Sequence, residues 1–431
     1  MLSLWGGVII FSFLLLILFK KMSVITALVL VPVFCGFLAG FGPGELGKFS
    51  LDGIKQVAPT GILLMFAVLY FSVMLDAGLF DPVISFIIKK VKGDPLKVVM
   101  GTAILTMIVH LDGDGTATFM IVLSAFLPIY KKLNMSRLVL ATVVALSVGP
   151  LHLVPWSGTS VRAISILKSD AMHIFNPNVP SIIAGILWVL VVAWYFGQKE
   201  RKRIGIVDFD HHHHSNLTHA QIALRRPKLL LFNAVFTVVL IITLMKGWIP
   251  AAVLFVVASM IVLLINYPAS EAQQKVLKSH ATNIFMVSSM IFAAGIFSGI
   301  LTGSKMIESI ATSLVSLIPP DYAGLLPLLT AITSLPASIL FTPDAYYFGV
   351  VPILAESYAK FGLDSLEIGR AALLGQMTVG FPISPLTAST FLLIGMTEID
   401  LGDHQRHTFF WAWGTTLIMT IMAILTGSIH L

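Results

Sequence analysis

Two aspartates and two glycines alternate within residues 110–118, His-Leu-Asp-Gly-Asp-Gly-Thr-Ala-Thr, in the middle of a stretch that is otherwise suited to lipid. Largely apolar residues run from Val98 to Val109 before it and from Phe119 to Leu127 after it. An ionised aspartate at the centre of a membrane helix costs roughly 2.5–3.5 kcal/mol, so Asp112 and Asp114 need compensation. A carboxylate can obtain it from a proton or from a hard divalent cation, whose preferred ligands are oxygens. Asp344, in Leu340-Phe341-Thr342-Pro343-Asp344-Ala345, is a third such group. The hydroxyls of Thr116, Thr118, Ser157, Thr159, Ser160, Thr342, Ser384 and Thr387 are compact donors and acceptors suited to a ligand rich in carboxylates. Arg162 can grip a carboxylate with two parallel hydrogen bonds, and His110 and His152 can relay protons. Each group also has a plainer role. The aspartates can occupy an ordinary exterior turn, Arg162 can snorkel or pair with an aspartate of the chain, and the histidines can be packed and hydrogen-bonded.

The elements that position these groups follow from composition. With 57% hydrophobic and 11% charged residues, the chain departs from soluble domains, in which about 25% of residues are charged. Apolar runs approaching the ~20 residues needed to span a bilayer recur from end to end. The single Cys35 lies inside one of them, which excludes an internal disulfide framework or a cysteine metal site. The formal charge of +6 gathers in short loops, as positive-inside orientation requires, and implies no nucleic-acid partner. Met1 to Phe19 lacks a basic leader region and a small-residue cleavage site, so it reads as an uncleaved first span.

Spans are expected over 3–19, 22–41 and 59–75, followed by an interfacial helix beginning at Asp81-Pro82 and ending in Lys89-Lys90. Residues 95–131 form two short apolar arms around the Asp/Gly segment, with basic residues at both ends; this pattern predicts a re-entrant helical hairpin whose tip carries Asp112 and Asp114. Residues 136–168 read as a helix broken at Gly149 to Ser160. A span over 180–197 completes the first half, residues 1–198. A polar cytoplasmic linker, 199–227, contains His211–His214, which reads as a solvated loop.

The order then recurs in residues 228–431. Spans at 228–245, 248–266 and 281–302 precede a short segment at 304–318, a hairpin at 322–361, a broken helix at 366–397 interrupted near Gly380 to Thr387, and a last span at 408–428. Pro155-x-Ser157 with Ser160 corresponds to Pro382-x-Ser384 with Thr387. The expected fold is therefore an all-α polytopic membrane protein of two inverted repeats. Each repeat has five transmembrane helices, one of them broken, and one re-entrant hairpin. An odd number of crossings inverts the second half, which brings the hairpins in from opposite faces and leaves both termini outside. The four interrupted segments then meet near the midplane, where helix N-termini suit anions and C-terminal ends suit cations.

At these segments the chain resembles the citrate–divalent metal:proton symporters of the ion transporter superfamily. The resemblance rests on HLDGDGTATF (His110–Phe119), FTPDAYYFGVVPIL (Phe341–Leu354), FPISPLTASTFLL (Phe381–Leu393) and Gly402-Asp403-His404-Gln405-Arg406. It implies uptake of a citrate-like carboxylate as its complex with a Mg2+- or Ca2+-type cation, driven by protons, through an elevator-like motion. It implies no permanent cofactor. The first break, Pro150 to Trp156, is bulkier than the small Gly/Pro-rich stretch expected there. Analogy with related folds adds a homodimer in the cell (inner) membrane, in contact with the lipid bilayer. The competing readings are a sodium:proton antiporter on the same scaffold, a passive channel, and an intramembrane protease using Asp112, Asp114 or Ser157. The duplicated layout gives a protease no evident purpose, so the chain is not expected to be an enzyme.

Overall fold

The computed structural model describes residues 2–19, 21–91, 93–206, 219–316 and 319–430, and all regular structure among them is helical. Lys20 and residues 207–218 of the expected linker, including the His211–His214 run, lie outside the described residues. Among the described residues, seven helices are long and apolar enough to cross a membrane, and shorter apolar helices accompany them.

Helices α1 (Leu2–Leu18) and α2 (Val24–Leu38) lead into α3 (Pro43–Asp76), which is 34 residues long. The sequence expectation places the start of this third span at Pro59, but the helix begins at Pro43 and carries Pro59 in its interior. Pro43 occupies the first turn, where a missing N–H costs nothing, and Glu45 accepts the Gly42 amide at 2.9 Å. The true start signal is therefore a cap sixteen residues upstream of the more conspicuous proline. The short α4 (Asp81–Val91) ends in Lys89 and Lys90.

Helices α5 (Pro95–Val109) and α6 (Gly115–Lys132) pack against each other and are joined by a tight turn at His110–Asp114. The chain continues through α7 (Arg137–Leu151), α8 (Gly158–Leu167) and α9 (Ala171–Ile204). Side chains of Asp94, Asp114, Ser136, Ser157 and Asp170 cap the N-termini of these five helices, which satisfies amides that would otherwise lack partners. Every residue of α7 from Val139 to Leu151 is buried, as expected of a helix that is apolar on all sides. Helices α5 and α9 surround it, together with the last helix of the chain.

The second half comprises α10 (His219–Leu224), α11 (Leu230–Lys246), α12 (Ala251–Asn266), α13 (Ser270–Gly303) and α14 (Met306–Val315). It continues with α15 (Leu326–Leu340), a wide helical turn at Ala345–Val350, and α16 (Val351–Lys360). Helices α17 (Leu366–Leu373), α18 (Ala388–Thr397) and α19 (Leu401–Leu425) complete it. Helices α3 and α13, both 34 residues long, make the most extensive contact in the molecule. Glycine makes that approach possible. A Cβ at Gly53 would lie 2.0 Å from the Gly295 carbonyl oxygen, and one at Gly299 would lie 2.3 Å from that of Phe49. Small residues at such a crossing let backbones approach, which is how helices associate where hydrophobic burial drives little. Leu231, Val235, Val238 and Val239 of α11 point outward and are exposed, as suits a helix facing hydrocarbon.

Candidate functional site

A cavity of about 440 Å³ opens where the interrupted segments meet. All four contribute to its wall, through Asp112–Ala117, through His152, Trp156, Gly158, Thr159 and Arg162, through Pro343, and through Phe381 with Ser389. The opposite wall comes from α3 and α13, including Ser72 and Asn283.

Local chemistry explains how the first tip is built. The amide of Asp114 donates to Asp112 Oδ1 at 2.9 Å, and Thr116 N donates to Asp114 Oδ1 at 2.8 Å. Each aspartate thus spends one oxygen on turning the chain and starting α6. Gly113 adopts φ +79°, a left-handed value that a side chain disfavours. Gly115 has a different reason to be glycine, since a Cβ there would lie 2.3 Å from Phe381 Cε1. Gly115 thus admits the Phe381 ring. Asp114 and Thr116 remain exposed on the cavity wall, and Asp112 is half-buried there.

Three helices begin at this cavity. Helix α6 presents Gly115 and Thr116, α8 presents Gly158 and Thr159, and α18 presents Ser389. The hydroxyls of Thr116 and Ser389 lie 2.9 Å apart. No side chain caps α18: the Thr387 hydroxyl, at its N-cap position, donates to carbonyls of the preceding turn. Its first-turn amides are left for something else. Unpaired N–H groups and the positive ends of helix dipoles make such termini anion sites.

Arg162 adds a full positive charge to the same wall. Its Nε donates to Asp344 Oδ1 at 2.6 Å, Nη1 to the Gly158 carbonyl at 2.7 Å, and Nη2 to Met290 Sδ at 3.0 Å. Asp344 is buried behind it, away from the cavity lining. The histidines form a chain. The Thr118 hydroxyl donates to the Asp114 carbonyl at 2.8 Å, so it accepts from His110 Nδ1–H at 3.0 Å. With neutral rings, His110 Nε2 then accepts from His152 Nδ1–H at 2.8 Å, which leaves Nε2 of His152 unprotonated. The two imidazoles stack 5.0 Å apart, and His152 stacks on Phe381 at 4.8 Å.

The remaining hydroxyls are engaged within the protein. Thr159 both borders the cavity and donates to the Met377 carbonyl at 3.0 Å. Ser157 caps α8 and donates to the His152 carbonyl at 2.6 Å, while Ser160 donates to that of Leu153 at 3.0 Å. Thr342 accepts the Ala345 amide at 3.2 Å, and Ser384 donates to the Ser338 carbonyl at 2.5 Å. These groups, with Thr118 and Thr387, hold the breaks open. Sequence reasoning does not single out Ser72, Asn283, Ser389 or Met290. Asn283 and Ser72 are two among several polar residues of their long helices, a faint signal that becomes informative only once those helices are seen to form the far wall. Among the described residues, no group of three or more His, Cys, Asp or Glu side chains converges as a metal cage.

Known proteins resemble this chain in sequence and in fold. A family model described as citrate transporter (CitMHS) matches residues 13–380. A protein of Bacillus subtilis (strain 168) named citrate transporter is 48% identical over 429 residues, covering 100% of both chains. A second from the same organism, named Mg(2+)/citrate complex secondary transporter, is 43% identical over 433 residues, again covering 100% of each. The crystal structure of the YdaH transporter of Alcanivorax borkumensis is similar in fold, with a TM-score of 0.64 at 14% identity, covering 89% of this chain and 88% of that one. The chain is therefore an all-helical, multi-pass membrane transporter that belongs to the citrate transporter family.

Proposed function

We propose that the protein takes up citrate or a similar carboxylate as its complex with a divalent cation, together with protons, by alternating access. The observation that carries this reading is the convergence of three helix N-termini and Arg162 on one cavity that also holds Asp112 and Asp114. Such a wall offers donors to several carboxylates and acceptors to a cation. A bare citrate trianion would meet two aspartates, whereas its complex with a divalent cation carries about one negative charge and presents the cation to them. Mg2+ keeps several waters and needs only one or two protein carboxylates beside its ligand, which fits two aspartates without a cage. The printed name of one relative supports the same substrate class.

In this reading Thr116, Thr159, Ser389 and Arg162 contact the carboxylates, and Asp112 and Asp114 face the cation through their uncommitted oxygens. Ser157, Ser160, Thr342, Ser384, Thr387 and Thr118 position these contacts. The stacked His110–His152 pair braces the tip against the first break. The recurring order of long helix, short helix, helix pair, broken helix and long helix in 1–198 and 228–431 supports inverted repeats with hairpins entering from opposite faces. With that topology we place both termini outside the cell membrane, and the protein as a homodimer.

Uptake of labelled citrate by purified protein in proteoliposomes tests the reading. Uptake is expected with Mg2+ or Ca2+ under an inward proton gradient, and is expected to collapse with EDTA or a protonophore. Citrate uptake that persists unchanged in EDTA overturns the metal-complex assignment.

A further inference from the structure

The Arg162–Asp344 ion pair bridges elements that are otherwise far apart in sequence, and it lies directly behind the cavity wall. Asp344 contributes only Oδ1, to Nε of Arg162. Arg162 lines the cavity, and the present partner of Nη2 is the Met290 thioether. A thioether is a weak acceptor, and a carboxylate oxygen outcompetes it readily. Nη2 of this cavity-lining residue is thus available to a substrate carboxylate while Nε holds Asp344.

Charge around Asp344 makes the consequence definite. Helix α8 brings Arg162 and, at its C-terminal end, Lys168; α1 and α15 carry no ionisable residue; and α13 has none after His280. Helix α16 carries Glu356, Tyr358 and Lys360 in its later part, and the adjoining turn carries the buried Tyr346 and Tyr347. Of these cations, only Arg162 is ion-paired to Asp344. One guanidinium cannot fully neutralise two carboxylates in a desolvated site, and an uncompensated buried charge is strongly unfavourable.

We propose that Arg162 and Asp344 form an exchange element that couples one proton to each substrate complex. When a carboxylate of the metal complex engages Arg162, a proton from the aqueous side forms an O–H bond on Asp344. When the complex leaves, the proton leaves to the other side and the ion pair is restored. The charge balance is closed at both stages. The empty site holds Arg162 positive and Asp344 negative, and the loaded site holds Arg162 positive, a complex with one negative charge, and a neutral Asp344. Asp112 and Asp114 add the same charge at both stages, so the site carries an equal net charge across the membrane in both directions. Linkage makes the effect reciprocal, so protonation of Asp344 strengthens substrate binding by the same factor.

This inference rests on the proposed carboxylate–metal reading, and the experiment separates the two. Purified protein in weakly buffered detergent is titrated with preformed magnesium–citrate in the presence of a pH dye, with binding followed by calorimetry. Wild-type protein is expected to take up about one proton per complex bound. Asp344→Asn is expected to bind the complex without proton uptake, and Asp344→Glu to restore it. In proteoliposomes D344N is expected to exchange external for internal labelled complex, more slowly than wild type, yet to lose accumulation under an inward proton gradient. Binding by the wild type with no proton uptake overturns the inference and leaves the substrate reading standing, and the wild-type measurement does so whether or not any variant folds. Proton-driven accumulation by D344N overturns it as well. Absence of any magnesium–citrate binding overturns the substrate reading and the inference together.

Discussion

The hydroxyls of Thr116 and Ser389 lie 2.9 Å apart although 273 positions separate them in the chain. Each stands in the first turn of a helix, α6 and α18, so their contact joins two positive helix ends at one point on the cavity wall. A carboxylate arriving there meets both hydroxyls and the uncapped amides of α18. Substituting Thr116→Val or Ser389→Ala should raise the citrate KM about three- to tenfold, the range of one hydrogen bond. The maximal rate should change little. Transport kinetics over a citrate series at fixed Mg2+ check this.

Asp114 is exposed at the cavity, with one oxygen committed to Thr116 N and the other unclaimed among the described residues. Asp114→Asn keeps the cap, because its side-chain oxygen still accepts that amide, but removes the charge that faces the cation. The expected result is a rise of about tenfold or more in the Mg2+ concentration needed for half-maximal uptake. Thermal stability should stay close to that of the wild type. A normal Mg2+ dependence in D114N would remove Asp114 from the cation side.

Arg162 and Asp344 are both shielded, with side chains 15% and 7% exposed. Removing the cation strands a buried carboxylate, so Arg162→Gln should destabilise the fold by about 3–5 kcal/mol. The double variant R162Q/D344N should recover much of that loss, because neither charge remains. Arg162→Lys should keep the fold better than R162Q and still lower kcat/KM, since an ammonium cannot hold two partners in a planar fork. Unfolding midpoints in detergent, read beside transport rates, separate the two effects.

Gly115 and Phe381 interlock, and an added Cβ has no room. Gly115→Ala should cost about 1–3 kcal/mol, as overpacking does. The partner substitution Phe381→Leu should relieve part of it, and a double-mutant cycle measures the coupling.

Glu398, at the end of α18, binds Lys131 Nζ at 2.8 Å and Arg137 Nη1 at 2.5 Å. The Lys131 hydrogen bond, then the Lys131 charge, and also Arg137, hold its carboxyl below the usual range. A carboxyl that binds its proton less readily when folded contributes stability above its ordinary value, about 4.3, and loses it as pH falls through the depressed one. Wild type and Glu398→Gln should therefore differ slightly in unfolding midpoint at neutral pH. The two should converge under acid, and added salt should narrow the gap because the pair is exposed.

Composition and periodicity alone determined that this chain is an all-helical membrane protein. Lipid tolerates few charges, and 11% charged residues in long apolar runs leave no soluble alternative. The expense of Asp112 and Asp114 in such a setting also marked residues 110–118, since a buried carboxylate needs a reason wherever it occurs. Local signals located breaks as well, through prolines, glycines and hydroxyls, but they misplaced the start of α3. Pro59 resembles a helix start, but the helix begins at the Gly42–Glu45 cap and runs through it.

Partnership is what the sequence left open and the tertiary structure decided. Hydroxyl residues look alike in a list, yet Thr116 and Ser389 face the cavity while Ser157, Ser160 and Ser384 are consumed by caps and carbonyls. Arg162 could have met an interface, an aspartate or a ligand, and the fold pairs its Nε with Asp344 and sets the residue in the cavity lining. Ser72 and Asn283 carry almost no signal until α3 and α13 form the far wall. The physical reason is common to all of them. Burial cost depends on residue type and can be read from one dimension, whereas which donor meets which acceptor depends on the distances that helix crossings create.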